Sequence, residues 1–226
     1  MNNSLIVIEG LDGSGKATQT EQLCRYLKKQ QMEYRHITFP DYNQDSAALV
    51  KMYLSGAFGA DPNCVSPYAA ASFYAVDRYA SYQRFWKQDH ANGIYIVADR
   101  YVTSNLIYQL TKLPQKDWDV FIDWLQDYEY NKLQLPQPDI VVYLDMPPKV
   151  SQILMNQRYN GDEMKKDIHE RNTDFLDRCR KAALYSAQRL GWHVITCVDC
   201  GQLKSIEEIH LEIIDIITRN NNRKGI

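Results

Sequence analysis

Short, almost wholly apolar runs alternate along this chain with longer stretches in which apolar positions recur every three or four residues. The runs at 4–9, 33–38, 94–99, 139–145 and 193–197 are bounded by Gly, Pro, Asn or Asp, which predicts strands. Leu5-Ile6-Val7-Ile8 and Ile140-Val141-Val142-Tyr143-Leu144 leave no polar position to turn toward water. Such strands suit a parallel sheet covered on both faces. Between them, 16–31, 45–54, 67–90, 104–112, 115–128, 149–158, 170–190 and 205–219 carry the spacing of helices with one apolar face. The alternation predicts a doubly wound α/β fold, in which ligands bind beyond the carboxyl ends of the strands. The segments after Glu9, Thr38, Asp99 and Asp145 are therefore the ones to search for chemistry.

Two stretches are less regular. Residues 56–66 mix Gly, Pro, Asn and Cys, and 157–169 is polar, with Arg158, Lys165 and Lys166 around Gly161. The second offers few apolar groups to dock and is expected to be a flexible lid. The polar tail 219–226 is expected to fray. At 226 residues, 45% apolar and 24% charged, the chain has the size of one α/β domain spanning 1–226.

A formal net charge of −2 gives no global positive field, so neither nucleic acid nor an anionic membrane is an expected partner. No apolar stretch approaches the roughly 20 residues of a spanning helix, and no basic segment leads into a cleavable signal, so the expected location is cytoplasmic. The cysteines, Cys24, Cys64, Cys179, Cys197 and Cys200, are odd in number and scattered, unlike a disulfide framework. Cys197-Val198-Asp199-Cys200 has no second pair at zinc spacing and is read as structural.

The first candidate chemistry follows the first run. Gly10-Leu11-Asp12-Gly13-Ser14-Gly15-Lys16 has the G-x-x-x-x-G-K spacing of a P-loop, placed between a strand and a helix as its mechanism requires. Backbone N–H groups from Gly13 through Thr18 would wrap a phosphate at the positive end of the helix, and Lys16 would neutralise the β- and γ-phosphates. The next position, where a Ser or Thr hydroxyl holds Mg²⁺ in many such sites, is Ala17, and the first hydroxyl comes at Thr18. At the end of the third run, Asp99-Arg100-Tyr101 places a carboxylate and a guanidinium opposite that turn. Arg100 can clamp an acceptor phosphate with its planar fork while Asp99 serves a metal's water shell. Tyr74 and Arg78 stand four apart and share a helix face; from spacing alone that stripe reads as core.

Taken in order, these residues resemble the thymidylate (dTMP) kinases among the P-loop nucleoside monophosphate kinases. The likeness runs through Ile8 to Lys16, Phe39-Pro40, Tyr74 to Arg78, Asp99-Arg100-Tyr101 with Ser104-Asn105, Tyr143-Leu144-Asp145, and Glu170-Arg171 at the end of the lid. It implies a five-stranded parallel sheet flanked by helices, a homodimer, and γ-phosphoryl transfer from ATP with Mg²⁺ to dTMP. Carried over by position, it assigns Asp12 to the sugar hydroxyl and the metal–phosphate region, and Arg100 to the acceptor phosphate. Phe39 and Tyr74 would flank thymine, with Phe73 as the alternative ring. Arg78 would reach the O4 carbonyl, and Ser104 and Asn105 the remaining base edge. Glu170 would come near Mg²⁺ or the deoxyribose.

Members of the family take the arginine that meets the transferred phosphate from the P-loop or from the lid. Here Gly13 stands at the P-loop position, so Arg158 is the first candidate, with Lys165 and Lys166 as alternatives. Because Ala17 cannot bind a metal, Mg²⁺ would rest on phosphate oxygens, water and carboxylates such as Asp12, Asp99 or Glu170. Asp41, after Phe39-Pro40, is read as facing solvent. Two other readings stay open on the residues: a P-loop kinase for another pyrimidine acceptor, namely dUMP, UMP, CMP or a deoxynucleoside, and a nucleotide-binding switch without turnover.

Overall fold

The computed structural model describes residues 5–59, 61–158 and 173–223, without the side chains of residues 62, 155–158, 173 and 223. Five strands form one parallel sheet in the order β2-β3-β1-β4-β5. They are β1 (Leu5–Gly10), β2 (Tyr34–Thr38), β3 (Tyr95–Asp99), β4 (Ile140–Asp145) and β5 (His193–Thr196). The register sets Ile8 opposite Asp99 and Gly10 opposite Leu144. The turns after β1 and β3 therefore leave the same edge of the sheet as neighbours.

Every residue of β1 and β4 is buried, and the alternation of side chains divides the core in two. Leu5 and Val7 pack with Ile96, Ala98 and Tyr143 under α3 (Pro67–Ser81), α5 (Thr103–Tyr108), α6 (Trp118–Gln126) and α8 (Thr173–Leu190). Ile6 and Ile8 pack on the opposite face with Val97, Val142 and Leu144 under α1 (Lys16–Lys29) and α9 (Ile206–Arg223). Burying one such Ile or Leu stabilises the fold by about 1.5–3 kcal/mol, so apolar strand and helix faces account for the layering without specific polar contacts. The shorter α2 (Ala48–Leu54), α4 (Lys87–Ala91) and α7 (Pro148–Arg158) complete the helices.

Several expected boundaries shift. The helix expected over 67–90 is broken by a π-type turn at Tyr82–Trp86, and that over 115–128 passes into another at Asp127–Lys132. Each wide turn carries a fully buried side chain, Trp86 and Glu129. The chain does not fray from Arg219: α9 runs on to Arg223, and Asn221 Nδ2 donates to the Tyr95 hydroxyl at 3.3 Å. A small hairpin, β6 (Val198–Asp199) with β7 (Gln202–Leu203), was not foreseen. Its turn is Cys200-Gly201, both with positive φ (47° and 81°), as a two-residue hairpin turn requires. The C-x-x-C pattern is thus hairpin geometry, with Cys197 buried and Cys200 exposed at the turn. The expected lid beyond Arg158, with Lys165, Lys166 and Glu170, lies outside the described residues, as does the Arg158 side chain.

Candidate active site

The glycine-rich turn runs from β1 into α1 against β4. A Cβ on Gly10 would collide with Ser14 Oγ and lie 3.1 Å from the Leu144 carbonyl, so only glycine lets the turn pass this close. Gly15 precedes α1 with φ 88°, a left-handed conformation that glycine adopts without strain. Ala17 and Thr18 open the first turn of α1 and are exposed, while Ser14 and Lys16 are buried. Lys16 Nζ donates to Leu11 O at 2.9 Å and lies 3.6 Å from Asp12 Oδ1. Burial and the Arg100 charge hold its ammonium below the usual lysine range, against the pull of Asp12 and Asp99. The free N–H groups at the start of α1 make this a site for anions.

Arg100 faces that turn from the end of β3. Its N–H donates to Ile8 O at 3.2 Å, and its backbone has φ 69°, uncommon for a residue with a Cβ. The side chain forms an ion pair from NH2 to Asp12 Oδ1. NH1 donates to the Tyr108 hydroxyl at 3.0 Å, and that hydroxyl donates to Asp12 Oδ2 at 3.3 Å. The guanidinium stands 5.3 Å from the centre of the Tyr108 ring. Burial raises the Asp12 carboxyl, but Arg100 and Lys16 outweigh it and hold it at about 2. Sequence reasoning missed Tyr108. The available signal is its position four residues after Ser104, on the same face of α5.

A second missed residue is Glu9, wholly buried before the turn. Its carboxylate accepts from Tyr101 N at 3.1 Å, Thr103 Oγ1 at 2.7 Å and Ser104 Oγ at 2.8 Å. Burial raises its carboxyl, with Arg100 and these donors opposing. Ser104 thus spends its hydroxyl hydrogen on Glu9. Through Glu9 the strand that begins the glycine-rich turn holds both the Arg100 turn and the start of α5.

The aromatic and arginine group on α3 divides. Phe73 packs on Tyr53 and Phe58, with ring centres at 6.3 and 5.5 Å. Burial raises the Tyr74 hydroxyl, with Tyr53 and Tyr42 adding to the rise and Arg100 and Arg78 opposing it. Phe39 is almost fully enclosed and packs against Tyr101 at 6.1 Å. Arg78 is buried in a two-pronged ion pair with Glu129, through Nε at 2.7 Å and NH2 at 2.5 Å, and Asn105 Nδ2 reaches the same carboxylate at 3.2 Å. Asp41 Oδ1 accepts from Asn43 N at 3.2 Å, a local turn contact. Asp145 is taken by Arg180 of α8, through Nε at 2.6 Å and NH2 at 2.8 Å.

The donor set fits a weakly held Mg²⁺. Among the described residues no group of three His, Cys, Asp or Glu side chains could enclose an ion. Asp99 Oδ1, however, is buried without a hydrogen-bond partner beside the glycine-rich turn, as is Ser14 Oγ within it. Mg²⁺ keeps several waters and rests on one or two carboxylates with substrate phosphates, which needs no protein cage. Asp99 is better placed for this than Asp12, whose oxygens are shared among Arg100, Lys16 and Tyr108.

A phosphate-binding turn at the centre of a parallel sheet, with a guanidinium opposite it on the neighbouring strand, defines a P-loop kinase. The model of the thymidylate kinase family matches residues 8–213. A thymidylate kinase of Mycobacterium tuberculosis is 32% identical over 211 residues, covering 88% of this chain and 94% of its own. One from Plasmodium falciparum is 27% identical over 95% of this chain and 89% of its own. The solved thymidylate kinase of Candida albicans superimposes with a TM-score of 0.71 at 23% identity, covering 98% of this chain and 93% of that one, which supports the fold. The chain belongs to the thymidylate kinase family.

Proposed function

We propose that this chain transfers the γ-phosphoryl group of ATP to dTMP, giving dTDP and ADP, and that Lys16, Asp12 and Arg100 divide the work. The observation that carries this reading is the Asp12–Arg100 ion pair, which sets the guanidinium against the glycine-rich turn, so that a donor phosphate on the turn and an acceptor phosphate on Arg100 would meet head-on. Main-chain amides of the turn and Lys16 would hold the donor's β- and γ-phosphates, and Arg100 the acceptor phosphate. Asp12 would then exchange Arg100 for the sugar hydroxyl and the metal's water shell. Mg²⁺, when bound with ATP, would neutralise charge on the β- and γ-phosphates, held by Asp99, Asp12 and Glu170 directly or through water. Arg158 is proposed to meet the transferring phosphoryl group.

Tyr74 and Phe39 are proposed to line the base pocket, with Arg78, Asn105 and Ser104 at its edge. For Ser104 the role is indirect, since its hydroxyl is engaged by Glu9. The cytoplasm is the proposed location. No described helix is long and apolar enough to cross a membrane. A homodimer is proposed on the exposed apolar side chains Leu49, Met52, Val76 and Tyr79 of the packed pair α2 and α3. The reading is tested by ADP release with ATP and dTMP, dUMP, UMP, CMP or thymidine. Release that is fastest with dTMP is expected. Faster release with another acceptor moves the substrate assignment, and no release with any acceptor favours a nucleotide switch.

A further inference from the structure

Arg78 and Asn105 come from different helices, yet both end on one carboxylate. Glu129 Oε2 accepts from Arg78 Nε, while Oε1 accepts from Arg78 NH2 and from Asn105 Nδ2. Asn105 Nδ2 also donates to Ala71 O at 3.4 Å. Each contact has a direction. With the Nε and NH2 edge of the guanidinium spent, NH1 keeps a single long contact, 3.5 Å to Tyr101 O, and is the donor left over. With both amide hydrogens of Asn105 drawn to Glu129 and Ala71, its carbonyl oxygen is turned the other way. An ionised carboxylate only accepts hydrogen bonds, so the flipped amide would set oxygen against oxygen.

We infer that Glu129 is a specificity-determining positioning residue: it presents Arg78 as a donor and Asn105 as an acceptor, the polarity that suits thymine or uracil and opposes cytosine. The inference rests on the proposal that Arg78 and Asn105 edge the base pocket. Thymine offers an O4 acceptor beside the N3–H donor, whereas cytosine offers an amino donor beside an N3 acceptor. An ion pair alone would explain the Arg78 contacts, but not why the same oxygen also takes the Asn105 amide. The wide turn Asp127–Lys132 brings Glu129 inward, and Leu135 N donating to Glu129 O at 3.0 Å secures it. Wide helical turns of this kind recur at functional sites because they re-aim one side chain.

Glu129→Gln separates the two roles. Glutamine carries donors as well as an acceptor, so its amide can face Asn105 and turn that residue's amide around. The ratio of kcat/KM for dTMP to that for dCMP is expected to fall about tenfold or more, the worth of one reversed hydrogen bond. The dTMP to dUMP ratio should hold, because those bases share this edge. Where dCMP turnover is too slow to measure, its inhibition constant against dTMP should fall instead. Glu129→Asp, still acceptor-only, should keep the preference. An equal loss for dTMP and dCMP in Glu129→Gln overturns the inference. A wild type that ignores dTMP overturns the pocket assignment itself, which is a separate result.

If Glu129→Gln does not fold, the wild type still decides. The Asn105 side-chain amide protons, followed by ¹⁵N NMR, should exchange slowly both without and with dTMP. Rapid exchange in the free protein would show the amide unheld and sink the inference.

Discussion

The Asp12 carboxylate and the Arg100 guanidinium form a direct ion pair, and the Tyr108 hydroxyl closes it into a ring by accepting from Arg100 and donating to Asp12. Each of the three comes from a different element: the glycine-rich turn, the tip of β3 and α5. On the proposed function, an acceptor phosphate would replace the Asp12 carboxylate on Arg100, whose guanidinium the ion pair already aims at the glycine-rich turn. Preorganisation of this kind reduces the ordering cost of binding.

Arg100→Ala should therefore weaken acceptor binding more than turnover. Losing charge-assisted hydrogen bonds to a phosphate is expected to raise the KM for dTMP by about ten- to a hundredfold. Steady-state kinetics at saturating ATP measure it. An unchanged KM means that another cation holds the acceptor phosphate.

Lys16→Ala should do the opposite. Its ammonium is bonded to Leu11 O within the turn, and its proposed contact is with donor-phosphate charge that moves during transfer. The expected fall in kcat is about 100- to 1000-fold, the size found when one preorganised donor to a developing charge is removed. Affinity for dTMP, measured by calorimetry, should change little, and a matching loss there would refute the division between Lys16 and Arg100.

Acid should loosen the same ring. The Asp12 carboxyl sits at about 2 in the folded chain against an ordinary value of 3.8. A lowered folded value means that the unfolded chain binds the proton more readily. The stability it contributes, about 2 kcal/mol, is thus present above about pH 4 and lost as the pH falls through about 2. Asp12→Asn removes the titration, and its unfolding free energy should depend less steeply on pH between 4 and 2. Parallel acid limbs for the two proteins would place the titrating group elsewhere.

The layers and the phosphate turn were legible because each is a local pattern. The apolar runs of β1 and β4 state that both faces are covered, and Gly10 to Lys16 carries its own spacing. Arg100 was legible for the same reason, standing where a strand ends. Glu9, Tyr108 and Glu129 were not. Glu9 reads as the last polar position before a glycine, and its partners Tyr101, Thr103 and Ser104 lie far along the chain. Glu129 sits between Tyr128 and Tyr130 and reads as one polar position on a helix face. Only the change of helical pitch at Asp127–Lys132, which a search for a 3.6-residue period averages away, turns it inward. The hairpin at Cys200-Gly201 was hidden because its strands are two residues each.

Glu9 offers the sharpest test of how the glycine-rich turn and the Arg100 turn are coupled. Glu9→Ala strands a buried backbone N–H and two hydroxyls at the start of α5, and is expected to cost about 3 kcal/mol or more in urea unfolding. Glu9→Gln keeps one acceptor and should cost only about 1 kcal/mol, the worth of one hydrogen bond. The raised carboxyl bears on that difference. A folded value above the unfolded one means that the native state binds the proton more tightly, so the charged form costs stability as the pH rises through the folded value. A neutral amide escapes that cost at pH 7. The Arg100 turn hangs on the same carboxylate, so Glu9→Ala should also raise the KM for dTMP about tenfold, the equivalent of one hydrogen bond lost from the clamp. Most of that should return in Glu9→Gln. Equal stability of the two variants would show that the donors find water once the carboxylate is gone. An unchanged KM in Glu9→Ala would show that Asp12 and Tyr108 alone hold Arg100 in place.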